Sequence, residues 1–371
     1  MKILLIGNMH DQTGWSQSGI GYALSMDSVG IDVVVRNIKL NNINGEVPER
    51  IKELEAKSDK DCDIVIQHVL PHMLDYSGHF KKNIAICCFE TSNFRKTSWA
   101  SKINAMDELW VLCDQSVKIA KDSGVNIPIH VVPPGFDTSK YEQKYDKLTF
   151  NEIERKFKFY FIGELTRRKN IEALLIAYYT TFTIYDNVAL VIKTGVPGAS
   201  PQQNAQAIKQ LIDSVKKGLK LYPSVDMYPI EIGITAPMSN EEIMRLHATC
   251  NCFVMPSYAE AFCIPAMEAM AMGNPVIAND CGGMSDYLSN NCGSLIKNRE
   301  QPIYNMLDTF NELGTGHETW SSIDIIELGK EMRRMYENPR ICKEYGERGI
   351  DRSYDFSYQN IGNKIKELLK L

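Results

Sequence analysis

Two carboxylates eight positions apart, Glu260 and Glu268, bracket the segment Ala261-Phe262-Cys263-Ile264-Pro265 and offer the clearest chemistry in the chain. The punctuation around them sets the local structure. Pro265 suits the first turn of a helix, where its missing N–H would have had no partner, and Gly273 supplies the left-handed residue that ends one. Glu268 is then expected in a first helical turn and Glu260 in the loop before it, with Pro275-Val-Ile-Ala starting a buried strand. A loop-to-helix junction attracts anions through its unpaired N–H groups and the helix dipole. Two acids placed there oppose phosphate unless they turn away from it and accept hydrogen bonds from neutral hydroxyls. Such hydroxyls are the donor-rich face of a sugar or a ribose.

A second candidate is Gly163-Glu164-Leu-Thr-Arg167-Arg168-Lys169-Asn170, which follows a strand and opens a helix. Three cations at the positive end of a helix repel its dipole unless an anion joins them. That points to phosphate, with a solvated basic turn as the plain alternative; the acidic motif downstream favours a diphosphate. Gly14-Trp-Ser16-Gln-Ser18-Gly19-Ile-Gly21 follows the first strand and leads into the first helix, read over Gly19–Met26; glycines there admit a close ligand, and the serines and helix amides offer donors. A NAD-binding turn does not fit. The G-x-G-x-x-G register is absent, and the second strand ends in Arg36 where an acid for the ribose would stand.

Glu90 follows the fourth strand, on the carboxyl edge where open α/β sheets bind ligands, and could orient an acceptor hydroxyl or serve as its base. Its alternative is a charge at a helix start. His10 and Asp11 are lesser candidates for the same task, while His68 and His72 read as structural. No histidine has metal-like spacing with another ligand and no D-x-D pair ends a strand, so no metal is implied.

Short apolar strands must position these groups. They are read at Lys2–Gly7, Ile31–Arg36, Cys62–Gln67, Asn83–Phe89, Glu108–Leu112 and Ile129–Val132, then again at Phe157–Gly163, Val188–Lys193 and Cys252–Pro256. Helical stretches alternate with them, among them Gln203–Leu221, a helix started by the Ser239 and Glu242 capping box, and an amphipathic Phe356–Leu371. The alternation implies doubly wound parallel sheets in an α/β chain. The polar run Asp137–Glu154 is the candidate linker, next to the rigid turn Pro133-Pro134-Gly135-Phe-Asp137.

Composition agrees with that class. A chain of 371 residues with 44% hydrophobic and 23% charged residues can fill two cores. Its apolar runs fall short of the roughly 20 residues a membrane span needs, so no integral membrane segment is expected. No secretory signal is legible, and ten cysteines without a C-x2-C pair suit a reducing compartment; a cytoplasmic location is expected. Net charge is −5, and acids slightly outnumber bases in the first 150 residues, which leans against nucleic acid as a partner.

The stretch from Glu260 through Glu268, Ala269-Met-Ala-Met-Gly273-Asn-Pro275-Val-Ile-Ala and Gly282-Gly283 resembles the C-terminal signature of the retaining nucleotide-sugar glycosyltransferases of group 1, family 4. The resemblance implies the GT-B architecture, two Rossmann-like domains facing across a cleft. Residues 1–145 would form the acceptor domain, with the terminal helix 356–371 packing back on it, and 155–350 the donor domain. It implies transfer of a sugar, most simply a hexose, from a nucleotide diphosphate sugar with retention, without metal or cofactor. Glu260 would hold the hydroxyls of the donor sugar and Glu268 the ribose. Lys169, with Arg167 or Arg168, would hold the diphosphate, because the family arginine falls on Glu164, a charge reversal. Gly163, Gly19, the backbone of Ala261, Phe262, Cys263 and Ile264, and the Gly282-Gly283 turn would line the donor; Asp286 stands for a family Glu, and Glu90 for a family His. The acceptor stays open. So do a GT-B sugar-nucleotide epimerase, a disaccharide synthase, a DNA-base glycosyltransferase and a non-catalytic nucleotide-sugar-binding subunit.

Overall fold

The computed structural model describes residues 1–40, 45–196, 198–288, 291–306 and 310–370. The chain forms two compact units. One comprises Met1–Thr138, Asp308–Thr319 and Tyr354–Leu371; the other comprises Ser139–Leu307 and Trp320–Ser353.

Six parallel strands build the first unit: β1 (Lys2–Gly7), β2 (Asp32–Asn37), β3 (Ile64–His68), β4 (Lys82–Cys87), β5 (Glu108–Val111) and β6 (Ile129–Val131). Their order is β2-β1-β3-β4-β5-β6. Ile3 faces Val33 on one side and Ile64 on the other, and all three are buried, as a parallel sheet covered on both faces requires. The strand order reverses between β1 and β3, so the loops after these two strands meet at the carboxyl edge.

The helix expected from Gly19 starts earlier, so the stretch Gly14–Ser18, expected as loop, is helix too. The helix spans Gly14–Ser28, because the Thr13 side chain accepts hydrogen bonds from the Trp15 and Ser16 amides and caps it early. Its glycines serve packing. A Cβ on Gly19 would stand 2.9 Å from the Asn8 carbonyl oxygen, and one on Gly21 would meet the Gly135 backbone. The terminal helix Tyr358–Leu368 buries Ile361 and Ile365, and its Gly362 lies too close to the Ser25 carbonyl for a larger residue. Residue 371, included in the expected helix, lies outside the described residues.

The first unit also takes Asp308–Thr319, a segment that the sequence reading left with the second domain. Leu313 packs against the cluster of Trp99, Leu109 and Val111. Thr319 and Ser92 bond reciprocally, Ser92 N to Thr319 O at 3.0 Å and Thr319 N to Ser92 Oγ at 2.8 Å. Two apolar residues in a polar stretch carry no periodicity, so this docking has no sequence signal.

The second unit holds β7 (Phe157–Ile162), β8 (Val188–Lys193), β9 (Glu231–Ile234), β10 (Cys252–Met255), β11 (Val276–Asn279) and β12 (Ser294–Ile296), all parallel in the order β12-β11-β10-β7-β8-β9. Two further strands, β13 (Asn298–Pro302) and β14 (Thr319–Ile323), pair as a ribbon. Ser239 and Glu242 form their capping box on the helix Asn240–Thr249. Here the order reverses between β7 and β10. The cationic turn follows β7 and the acidic loop follows β10.

His68 supplies a test of the first unit. Its ring is fully buried at the end of β3, stacked on Trp15 at 4.8 Å and edge-on to Tyr22 at 5.7 Å, with neither nitrogen bonded. Burial pushes its pKa down to about 3. The unfolded chain therefore binds a proton that the folded chain refuses between pH ~6.5 and ~3, and stability is lost on acidification through that window, by up to about 1.4 kcal/mol per pH unit. His68→Phe keeps the stack and removes the proton. Its melting temperature should fall less than that of the wild type between pH 7 and pH 5; parallel declines would contradict the assignment.

Candidate functional site

The loops after β7 and β10 are stitched together by hydrogen bonds. The turn Arg167–Lys169 ends at Asn170, held left-handed at φ 53°, and the Asn170 Nδ2 donates to the Pro256 carbonyl at 3.2 Å. Tyr258 N donates to Arg168 O at 2.8 Å, and Arg168 Nη1 to Ala259 O at 2.7 Å. Asn279, fully buried at the end of β11, donates to the Ser257 carbonyl at 2.8 Å.

These bonds converge on the Glu260 carboxylate. Its Oε1 accepts from Lys169 Nζ at 2.6 Å and from Ser257 Oγ at 2.6 Å, with Arg168 Nη1 at 3.3 Å. Burial alone would raise the Glu260 pKa. The charges of Lys169 and Arg168 and the hydrogen bonds from Lys169 and Ser257 outweigh it and hold the carboxyl below its ordinary range. Glu260 is thus a buried anion beside two cations. The two arginines part here, since Arg167 pairs with Glu172 at 2.9 Å and lies over the Tyr258 ring. Tyr258 in turn stacks on Trp320 at 4.4 Å.

The backbone from Glu260 to Ile264 runs tightly against the start of the short helix Gly283–Tyr287. Gly282 has φ +60°, and a Cβ there would run into the Glu260 carbonyl oxygen; a Cβ on Gly283 would come within 2.7 Å of the Phe262 Cα. Tyr287 Oη donates to the Cys263 carbonyl at 3.0 Å. Cys263 itself is held at φ +70°, a strained conformation for a residue with a side chain, directly before the helix Ile264–Ala271. Ala261, Phe262 and Cys263 are all buried.

The helix Ile264–Ala271 has Pro265 in its opening turn and ends near Gly273 at φ +79°. Glu268 is its fifth residue, so it occupies the second turn and not the first, because the helix starts before Pro265. Its Oε2 lies 3.7 Å from His247 Nε2, and the other ring nitrogen of His247 bonds Tyr160 Oη at 2.7 Å. Ser257, Asn170, Asn279 and His247 were not singled out from sequence as site residues. The signal for Asn279 was a polar residue closing an apolar strand; His247 sat on a helical apolar stripe and carried none.

Glu260, Glu268, Lys169, Arg168, Gly282 and Gly283 therefore share one edge of the second sheet, with Gly163 at the end of β7. Glu164 is exposed. Gly19 and Glu90 belong to the first unit; Gly19 is buried in helix and Glu90 is half-buried three residues beyond β4. Internal bonds engage the other two acceptor-side candidates: His10 pairs with Glu55 at 2.8 Å, and Asp11 accepts from Asn8 Nδ2 at 2.6 Å and from Thr13. Asp286 lies in the helix Gly283–Tyr287, and its carbonyl accepts from Arg352.

Residues 144–304 match the family model for glycosyl transferases of group 1. The chain is 29% identical over 169 residues to the lipopolysaccharide 1,2-N-acetylglucosaminetransferase of Salmonella typhimurium, covering 43% of this chain and 40% of that protein. It is 28% identical over 198 residues to the D-inositol 3-phosphate glycosyltransferase of Corynebacterium jeikeium, covering 49% and 43%. The chain thus spans about two fifths of the length of the curated relatives it matches. Among solved structures, Anabaena HepE in complex with UDP superposes with a TM-score of 0.66 at 15% identity, over 100% of both chains. The fold is GT-B, built of two Rossmann-like domains.

The glycine pair generates a prediction. Gly282→Ala combines a forbidden backbone region with the collision at Glu260 O and should destabilise by about 1–3 kcal/mol. Gly218→Ala, in the helix Pro201–Leu219 with open space around it, should instead stabilise by about 0.5–1 kcal/mol. Denaturant unfolding of both variants checks this; equal effects would show that the turn does not constrain the acidic loop.

Proposed function

We propose, from the match of residues 144–304 to the group 1 glycosyl transferases, that the chain transfers a hexose from a nucleoside diphosphate sugar, UDP-linked in the first instance, to an acceptor hydroxyl with retention of configuration. One observation carries the reading: Glu260, Lys169 and Arg168 meet at the point where strand order reverses in the second sheet, the place where such sheets bind nucleotides. Breaking the bond between the anomeric carbon and the diphosphate oxygen leaves negative charge on the diphosphate. Lys169 and Arg168 are the cations placed to meet it, with the amides around Gly282-Gly283 beside them. A diphosphate entering there exchanges with Glu260 for Lys169, which turns the carboxylate toward the hydroxyls of the sugar. Of the two arginines, Arg168 takes the role of the family arginine, since Arg167 is turned to Glu172. Glu268 holds the ribose. Retention rests on the resemblance from Glu260 to Gly283.

No metal is assigned a part, because side-chain cations stand where the leaving charge develops. The cytoplasmic setting is supported by ten free thiols. No helix among the described residues is long and apolar enough to cross a membrane.

Incubating the chain with a panel of nucleotide sugars and detecting released nucleoside diphosphate by mass spectrometry tests the reading directly. One donor should be consumed, with the same rate in excess EDTA; loss of turnover restored only by divalent ions would remove the cation-based account. Glu268→Ala should weaken nucleoside diphosphate and intact donor alike, about 10–150-fold in calorimetry. Unchanged affinity for both would assign Glu268 to its contact with His247 alone.

A further inference from the structure

The first unit carries a cavity of about 390 Å³ lined by Asn93, Arg95, Lys96 and His317. Nothing in the donor site uses it. Two separate segments build it, the turn after β4 and the stretch of 308–319 that docks on this unit. Both are fixed from behind. Arg95 donates through Nε to the Asp122 carbonyl at 2.6 Å, and its own amide is held by Asn93 Oδ1. His317 is flanked by Glu318, whose carboxylate accepts from the Thr315 amide and hydroxyl at 2.8 and 2.9 Å, and by the reciprocal Ser92 and Thr319 bonds.

The walls offer two cationic groups, the Arg95 guanidinium and the Lys96 ammonium, with the His317 ring, all on exposed side chains. The two terminal nitrogens of Arg95, the Lys96 ammonium and the His317 ring make no ion pair or hydrogen bond among the described residues. Cationic and hydrogen-bonding donors that line one cavity from two anchored segments are the complement of a multiply charged anion. An arginine fork engages two oxygens of one group, and Lys96 and His317 in the same lining add donors for others. A carboxylate has two oxygens and one charge; a phosphate monoester has three terminal oxygens and up to two charges.

We propose that this pocket binds a phosphate monoester, the charged end of a small ligand distinct from the sugar-nucleotide donor. The concave lining favours a free phosphate ester over the headgroup of a lipid in a bilayer.

Calorimetric titration of the full chain with inorganic phosphate and with glycerol 3-phosphate, against acetate as the singly charged control, tests the proposal. Lys96 and His317 make no bonds within the protein, so Lys96→Gln with His317→Gln removes two donors without disturbing the fold. The double variant should bind both phosphates at least tenfold more weakly. Lys169→Ala, altered only in the second unit, should bind them as the wild type does, which separates this pocket from the proposed diphosphate site. Donor hydrolysis by the double variant should be unchanged, so that its failure would speak against the pocket and not against the transferase reading. Absence of phosphate binding, equal affinity for acetate, wild-type affinity in the double variant, or loss in Lys169→Ala alone would overturn the proposal. So would retention of the chain by vesicles containing phosphatidic acid without measurable binding of glycerol 3-phosphate.

Discussion

The second unit depends on one buried ion pair, Glu260 with Lys169. A carboxylate taken out of water is costly, and its attraction to a nearby cation offsets the cost only when geometry and additional hydrogen bonds are good. Ser257 and Arg168 complete that set. The arrangement couples two loops 91 residues apart in sequence, which the neighbouring strands β7 and β10 and the bonds of Asn170, Arg168 and Tyr258 bring side by side. Removing Glu260 leaves the buried Lys169 ammonium without its carboxylate, at about 3–5 kcal/mol, whereas removing Lys169 costs less because Arg168 and Ser257 still meet Glu260. The same property makes the pair a ready receptor: an entering anion can take over Lys169 and release the carboxylate for neutral hydroxyls.

Backbone constraints keep the pair in place. Gly282 and Gly283 have no side chain because the carbonyl of Glu260 and the Cα of Phe262 occupy that space. Cys263 accepts a left-handed conformation to turn the chain into the helix Ile264–Ala271. Strain of this kind persists only where surrounding contacts over-determine it, here the bond from Tyr287 and the abutting glycine turn. The glycines expected to line a ligand thus have a packing reason of their own.

Much of this was legible in the residues. Strands rich in Val, Ile and Phe were readable because parallel sheets bury both faces, and the capping signals at Ser239 and Pro265 located helix starts. The Glu260 and Lys169 motifs were readable as chemistry, yet their direct contact was not, since spacing along the chain says nothing about which loops a strand reversal brings together. The helix from Gly19 was legible, but Gly14–Ser18 misled because glycine and serine suggest a loop, whereas the Thr13 cap starts the helix there. The docking of Asp308–Thr319 was invisible for want of periodicity, and with it went the basic pocket, which needs both segments.

The exchange of Lys169 from Glu260 to a diphosphate is the central claim, and the affinity for UDP of Glu260→Gln and Lys169→Met, measured side by side by calorimetry, tests it most directly. Glu260→Gln frees the lysine, so it should bind UDP as tightly as the wild type or more tightly while losing sugar transfer. Lys169→Met should bind UDP about 10–150-fold more weakly. Equal weakening by both substitutions, or no change from either, would contradict the account.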